Sequence, residues 1–310
     1  MAWPSGKAEA CKASIPQFES GCHLSFSRLI VLYLVATPIG NLEDITIRAI
    51  RVLQECDLIL AEDTRHSKHL LETYHIKTRL ESFHQFNEKK KENAVIELLK
   101  EGKALCLISD AGTPSISDPG WHLVHRCHQE EILVSIIPGP CALISALAAS
   151  GLAPIPFQFF GFLPKTTVNL KQQLQKALSY PGTTICYEAP HRLLTMLSTL
   201  SELAPQRRVV VARELTKRHE SIVVKLAHNM YEHFKTQPVQ GELVVLIEGR
   251  SAEEPSTLPC THEILEAVQN IRHNMNCNLS DAVKIYSQSK GFNKKEIYQL
   301  IRRSEKMEEV

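Results

Sequence analysis

Several familiar motifs are missing from this chain, and each absence removes a class of chemistry. No Gly-x-Gly-x-x-Gly follows the first apolar run, so the usual dinucleotide fingerprint is lacking. No Gly-x-x-x-x-Gly-Lys-Ser/Thr occurs anywhere, which excludes a P-loop. Ser109-Asp110 is not framed by Gly-x-Ser-x-Gly, so it is no nucleophile elbow. Neither sign of charge is in surplus: 35 Lys+Arg against 34 Asp+Glu leave a net charge of +1. A protein that coats nucleic acid over its whole surface is more basic, so any such contact must use a local patch. There is no Cys-x-x-Cys pair; the nine cysteines are odd in number and scattered. Several lie in apolar runs, Cys106 in ALCLIS and Cys186 in TTICYE, as expected for buried free thiols in a reducing, cytoplasmic compartment.

Residues 1–29 match no element pattern and lack the apolar core of roughly 7–15 residues that a secretory signal needs. Gln17-Phe18-Glu19-Ser20 can be encoded by a string containing GTTCGAATC, typical of a transfer-RNA T-arm. Two readings of this extension stay open: a disordered tail, or upstream sequence read into the gene. Ile132–Pro164 carries no charge over 33 residues, long enough to suggest a membrane span. Six breakers (Pro138, Gly139, Pro140, Gly151, Pro154 and Pro156) divide it instead into strand, turn, small-residue helix and strand. No membrane is expected.

What is present is an alternation. Apolar runs at Val31–Ala36, Leu58–Ala61, Ala104–Ser109 and Ile132–Ile137 read as strands covered on both faces. Helices fall between them: from about Asp44, with Ile47, Ile50, Val52 and Leu53 at helical spacing; around Leu70 and Leu71; Asn87–Glu101, with Ala94, Val95, Leu98 and Leu99 on one face; and Asp118–Gln129. Strand–helix alternation implies a parallel sheet. Further on, Thr183–Tyr187, Arg208–Arg213, Glu220–Leu226 and Glu242–Glu248 read as strands and Pro190–Leu203 as a helix. Runs 208–213 and 220–226 are too close for a helical crossover, so an antiparallel pair and a mixed sheet are expected. The fold class is therefore α/β, with two α/β domains at 30–150 and 151–249, a linker at 250–260 and a C-terminal helical domain at 261–310. Near the end, Leu279-Ser280-Asp281 starts a helix, Gly291 ends it and Asn293-x-x-Glu296 resembles a capping box. Residues 279–306 hold seven Lys/Arg and three Asp/Glu, a net of +4. That suits a basic helix-turn-helix or a helical cap with a solvated basic face.

Three Gly/Pro-rich loops follow strands that fit one sheet: Thr37–Asn41, Asp110–Gly120 and Pro138–Cys141. Open α/β sheets bind ligands outside the carboxyl ends of their strands, so these loops mark a ligand cleft. His122, His125 and His128 recur every third residue, but Leu123, Val124 and Cys127 hold the other side of that helix. The histidines are expected to face solvent, and no metal site is expected.

The motifs VATPIGNLEDITIRA, LAEDTRHSKHLL, SDAGTPSISDPG, IPGPCAL, YEAPHRLL, ARELTK and GELVVLIEG stand in one order and spacing. Over Tyr33–Gly249 the chain closely resembles the small-subunit ribosomal RNA 2′-O-ribose methyltransferases of the tetrapyrrole (corrin/porphyrin) methylase superfamily. The resemblance implies the tetrapyrrole methylase type of fold, S-adenosylmethionine as methyl donor, a cytidine of 16S rRNA in the small ribosomal subunit as substrate, and a homodimer. It carries donor binding onto Pro38, onto Ser109, Asp110, Ala111 and Gly112, and onto Cys141 and Ala142. It also implies Glu188 and Leu215 as positions where a second domain closes over the donor. The family usually has Ser where Cys141 stands, and a thiol is a weaker hydrogen-bond partner. A ribose hydroxyl needs a base or a stabilising cation, with Glu62, Asp63, Asp110, Glu188 and Lys217 as candidates. Arg65, Arg192, Arg213, Lys217 and Arg218 are candidates for RNA phosphates. Two other readings are a precorrin C-methyltransferase and a non-catalytic RNA-binding assembly factor that keeps the donor pocket.

Overall fold

Each apolar run of the first half folds as a strand, and the amphipathic stretches between them fold as crossover helices. The structure, a computed structural model, describes residues 31–237, 239–250, 261–290, 292 and 294–308. Strands β1 (Val31–Val35), β2 (Leu58–Ala61), β3 (Leu80–Ser82), β4 (Ala104–Ile108) and β5 (Leu133–Ile137) form one sheet in the order β3-β2-β4-β1-β5. Every pairing in it is parallel. The two-residue period of a strand divides the side chains between two cores. Ile59, Ala61, Cys106 and Ile108 pack with Ala49, Val52 and Leu53 of α1 (Ile47–Glu55) and Leu70 and Leu71 of α2 (Thr64–Thr73). Leu58, Leu60, Leu105 and Leu107 pack with Val95, Ile96 and Leu99 of α3 (Glu88–Lys100) and Leu123 and Cys127 of α4 (Trp121–Gln129). Each Val, Leu or Ile among them contributes about 1.5–3 kcal/mol when fully buried.

Caps and turns shift several expected boundaries. Thr46 Oγ1 accepts from the Ala49 amide at 3.1 Å, so the helix expected from Asp44 starts at Ile47, after a 3-10 turn at Leu42–Asp44. Ile47 then lies on the outer face, 87% exposed, rather than in the core. On α3 the buried stripe is Val95, Ile96 and Leu99, and Ala94 is exposed, a rotation of the expected face. The helix expected from Asp118 begins only at Trp121, because Gly120 sits at φ +124°, outside the helical region. A Cβ there would strike Leu107 and lie 2.7 Å from Ser115 Oγ.

The second sheet is mixed. Strands β6 (Phe157–Phe162), β7 (Thr183–Glu188), β8 (Arg208–Arg213), β9 (Ser221–Leu226) and β10 (Leu243–Ile247) run in the order β6-β7-β10-β8-β9. Only β6–β7 is parallel; β8–β9 is the expected antiparallel pair. The helices of this half are α5 (Ala142–Ser150), α6 (Thr167–Ser179), α7 (Pro190–Leu203) and α8 (Ala227–Thr236). Leu170, Leu174, Met196, Leu200 and Met230 bury Cys186, Val209, Val211 and Val245 of the sheet. The uncharged run resolves into β5, α5 and β6, and no helix among the described residues is long and apolar enough to cross a membrane.

The helices α9 (Thr261–Met275), α10 (Leu279–Lys290) and α11 (Lys294–Glu308) share a core of Ile264, Val268, Val283, Tyr286, Ile297 and Ile301. Asn278 Oδ1 accepts from the Asp281 amide at 2.9 Å and opens α10. The extension 1–29, Gly291, Asn293, the Glu296 side chain and most of the linker lie outside the described residues. Cys56, Cys106, Cys127 and Cys186 are buried free thiols, as expected, while Cys141 and Cys277 are half-buried. By its contacts the chain divides into two units: unit 1 runs to Ser145 and includes Leu215–Arg218, and unit 2 comprises Ala146–Glu214 with the residues from His219.

Candidate functional site

The sheet order of unit 1 makes β4, β1 and β5 neighbours, so their three following loops emerge side by side at one carboxyl edge. They are tied to one another. Thr37 and Gly112 exchange backbone hydrogen bonds, the Thr37 amide donating at 2.9 Å and the Gly112 amide at 3.1 Å. Thr37 Oγ1 donates to the Ser109 carbonyl at 3.0 Å, Ser109 Oγ to the Gly112 carbonyl at 3.1 Å, and Thr113 Oγ1 to the Pro140 carbonyl at 3.2 Å. Gly112 holds φ +85°, a conformation that favours glycine, and a Cβ there would press on Ile39 Cγ2 at 3.3 Å. The expected donor residues Pro38, Ser109, Asp110, Ala111, Gly112, Cys141 and Ala142 thus share one edge. Their parts differ: Pro38 is buried, Ser109 commits its hydroxyl to the loop, Ala111 is exposed, and Cys141 and Ala142 are half-buried.

Leu215–Arg218 joins this edge from far along the chain. The Asn41 amide donates to Thr216 Oγ1 at 3.0 Å. A Cβ on Gly40 would collide with the Lys217 stem and lie 2.9 Å from the Leu215 carbonyl oxygen. Glycine at position 40 is what lets Lys217 cross the first loop. Glu214 and Thr216 both sit at positive φ, +49° and +66°, either side of the buried Leu215. Non-glycine residues persist there only where their surroundings over-determine them. Arg218 is exposed, and Arg213 donates from Nε to the Gln240 carbonyl at 2.7 Å.

Carboxyls gather beside the loops. Asp110 Oδ1 accepts from the Asp63 amide at 3.0 Å, joining the ends of β4 and β2. Asp63 accepts from the Arg65 amide at 2.8 Å and pairs with its guanidinium at 2.9 Å, which holds its carboxyl low, at about 2. Burial and the Asp110 charge push Glu62 up, against the opposing pull of His84. Burial and the charges of Glu62 and Asp110 push Asp118 up to about 6. Two adjoining cavities, of about 380 and 320 Å³, share Glu62 and Gln85. The larger is also lined by Arg65, His84 and Phe86, the smaller by Lys89, Asp118, Trp121 and His122. Of the residues lining the two cavities, Glu62, Asp63 and Arg65 are site candidates from the sequence. Asp118 was within reach, since it lies in the quoted SDAGTPSISDPG run.

In unit 2, Glu188 is an interior group: its side chain is fully buried and Oε1 accepts from the Ala189 amide at 2.9 Å. Arg192 Nε lies 3.5 Å from Oε1, and its NH2 donates to the Leu163 and Pro164 carbonyls at 2.8 Å each. Burial pushes the Glu188 carboxyl up, although the Ala189 amide and Arg192 oppose the shift. Among the described residues no His, Cys, Asp or Glu group fits a metal ion. His125 and His128 face solvent as expected. His122 is half-buried instead, its ring 3.7 Å from that of Trp121.

The chemistry of the edge suits one cofactor class. The Asp110 carboxyl repels the phosphates of a nucleotide cofactor, but it complements a sulfonium and an ammonium and accepts from ribose hydroxyls. S-adenosylmethionine has those groups and no phosphate.

Residues 31–229 match the family of tetrapyrrole (corrin/porphyrin) methylases, which sets the class of protein. The chain is 42% identical over 272 residues to the ribosomal RNA small subunit methyltransferase I of Pasteurella multocida (strain Pm70), covering 87% of this chain and 95% of the relative. To the protein of that name from Bacillus subtilis (strain 168) it is 38% identical, covering 86% and 92%. The chain belongs to the tetrapyrrole methylase family, in its ribosomal RNA small subunit methyltransferase I branch. The fold is shared with a diphthine synthase at TM-score 0.56 and 13% identity, over 71% of this chain and 90% of the other. A cobalt precorrin-4 methyltransferase shares it at TM-score 0.54 and 15% identity, over 71% and 95%.

Proposed function

We propose that this chain transfers a methyl group from S-adenosylmethionine to small-subunit ribosomal RNA, at the 2′-oxygen of a cytidine ribose in 16S rRNA. The observation that carries the reading is the tied set of three loops on β4, β1 and β5, in a chain whose relatives are named ribosomal RNA small subunit methyltransferase I. The donor supplies a methyl already activated by its sulfonium. This chain's residues then have to hold the donor, exclude water and remove the ribose proton. Pro38, Ser109–Gly112, Cys141 and Ala142 shape the holding edge, chiefly through backbone groups, which makes the Ser-to-Cys difference at position 141 tolerable. Among the base candidates, Asp63 is the weakest, because its cap and ion pair hold it at about 2. Glu62 and Asp110 stand at the edge, and Lys217 reaches the first loop across Gly40. Arg65, Arg218 and Lys217 are the cations of unit 1 offered to RNA phosphate. Arg192 serves Glu188 and two carbonyls, and Arg213 a further carbonyl. The basic helices 279–306 add a patch for RNA. The reading includes a homodimer acting in the cytoplasm.

The test is methyl transfer from labelled S-adenosylmethionine to 30S subunits, compared with a precorrin substrate. Transfer to 30S subunits alone is expected; transfer to the precorrin alone defeats the reading. Gly112→Val should abolish donor binding in calorimetry while the circular dichroism stays unchanged. Unaltered donor affinity would show that the donor does not use this edge.

A further inference from the structure

The smaller cavity of unit 1 takes Ser117, Asp118 and Pro119 from the second loop and adds Glu62, Trp121 and His122, none of them among the residues expected to hold the donor. We propose that this 320 Å³ cavity receives the base of the target nucleotide, with Trp121 as its stacking wall and the Glu62 and Asp118 carboxyls as acceptors for an exocyclic amine. The inference rests on the reading of the chain as an RNA methyltransferase and names how that site selects its nucleotide.

Trp121 is the first residue of α4 and is 57% exposed, although it is among the largest apolar side chains of the protein. The His122 ring lies 3.7 Å from its own, and Gly120 sets the helix start directly before it. Gly120 in turn donates to Glu88 Oε1 at 3.2 Å, so α3 holds the start of α4. An uncovered indole beside a cavity is the kind of platform on which unstacked RNA bases are held.

Charge decides which part of a nucleotide faces inward. RNA phosphates are repelled by a cavity that contains Glu62, Asp118 and Glu88. Cations stand on the exposed parts of the same surface, Lys89 at this cavity and Arg65 at the adjoining one. A nucleotide satisfies both regions with its base inside and its phosphates outside. Inside, burial and the charges of Glu62 and Asp110 push Asp118 upward. An amine donor relieves that repulsion. The cytosine N4 amine donates to a carboxylate, whereas uracil presents an O4 acceptor at the same place, so the cavity discriminates between the two pyrimidines.

The chain has two tryptophans, and Trp3→Phe leaves Trp121 as the lone indole reporter. Cytidine 5′-monophosphate and uridine 5′-monophosphate are titrated into that full-length variant, with quenching of Trp121 fluorescence as readout. Cytidine monophosphate should bind about tenfold more tightly than uridine monophosphate. Glu62→Ala with Asp118→Ala should erase the preference, because both carboxyls are destabilised where they stand and their removal leaves the fold intact. Calorimetry on the same variants should give unchanged S-adenosylmethionine affinity. Absence of quenching, equal affinity for the two nucleotides, or lost donor affinity in the carboxyl variants would each overturn the proposal. Lost donor affinity would assign the cavity to the donor. If the parent protein methylates 30S subunits while the nucleotide preference is absent, the cavity assignment falls alone. If it fails on 30S subunits, the RNA reading itself falls.

Discussion

The two sheets place their carboxyls in opposite ways. In unit 2 the fully buried Glu188 is held inside the fold by Arg192, which also ties down the carbonyls that follow β6. In unit 1 Glu62, Asp110 and Asp118 stand at the open carboxyl edge, where burial and the neighbouring carboxylates push Glu62 and Asp118 up. The mixed sheet buries charge to hold a loop. The parallel sheet leaves charge uncompensated where its strand order opens a cleft. Perturbed acids mark function only with such geometry, since structural ion pairs perturb them as well.

The sharpest way to break this contrast is Arg192→Ala. It leaves Glu188 alone in the interior and frees two carbonyls, and it should cost about 3–5 kcal/mol in urea or thermal unfolding. The loss should be smaller at pH 5 than at pH 8, because an unpaired buried carboxyl takes up a proton as the pH falls. A loss that does not vary with pH would mean that Glu188 is not the group left stranded.

A smaller effect of the opposite sign is expected in unit 1. Asp118 is raised from 3.8 to about 6 in the folded protein, so between those values the folded state holds a proton that the unfolded chain releases. Its contribution is complete below 3.8 and is lost as the pH rises through 6. Asp118→Asn, permanently neutral, should therefore melt above the parent at pH 8, and the gap should narrow at pH 5. A lower melting temperature at pH 8 would mean that the carboxylate is paired after all.

The least effect belongs to Arg65→Ala. Its ion pair with Asp63 is solvent-exposed, the Arg65 side chain 91% so, and exposed pairs rarely register in stability. No measurable change in melting temperature is expected, but methyl transfer to 30S subunits should lose salt dependence if Arg65 meets phosphate. An unchanged salt slope would remove Arg65 from the RNA surface.

Much of this was legible in the sequence. Leu58–Ala61, Pro190–Leu203 and Arg208–Arg213 have the expected bounds, because apolar runs and a Pro at the helix start are local signals. β3 escaped because three half-buried residues, Leu80–Ser82, carry no period. Yet β3 leads into His84, Gln85 and Phe86, which line the larger cavity. The exposure of Ile47 and Ala94 also escaped, because spacing alone does not say which of two adjacent stripes meets the sheet.

The sequence by itself determined the strands, the crossovers, the buried thiols and the three loops that could bind a ligand. Each depends on residues within a turn or two of one another. Only the tertiary structure decided that β4, β1 and β5 are neighbours, and that Lys217 crosses Gly40 from some 175 residues away. It also decided that Glu62, Gln85, Asp118 and Trp121 line one cavity. Those encounters follow from the order in which strands join a sheet, and period and propensity encode only near neighbours along the chain.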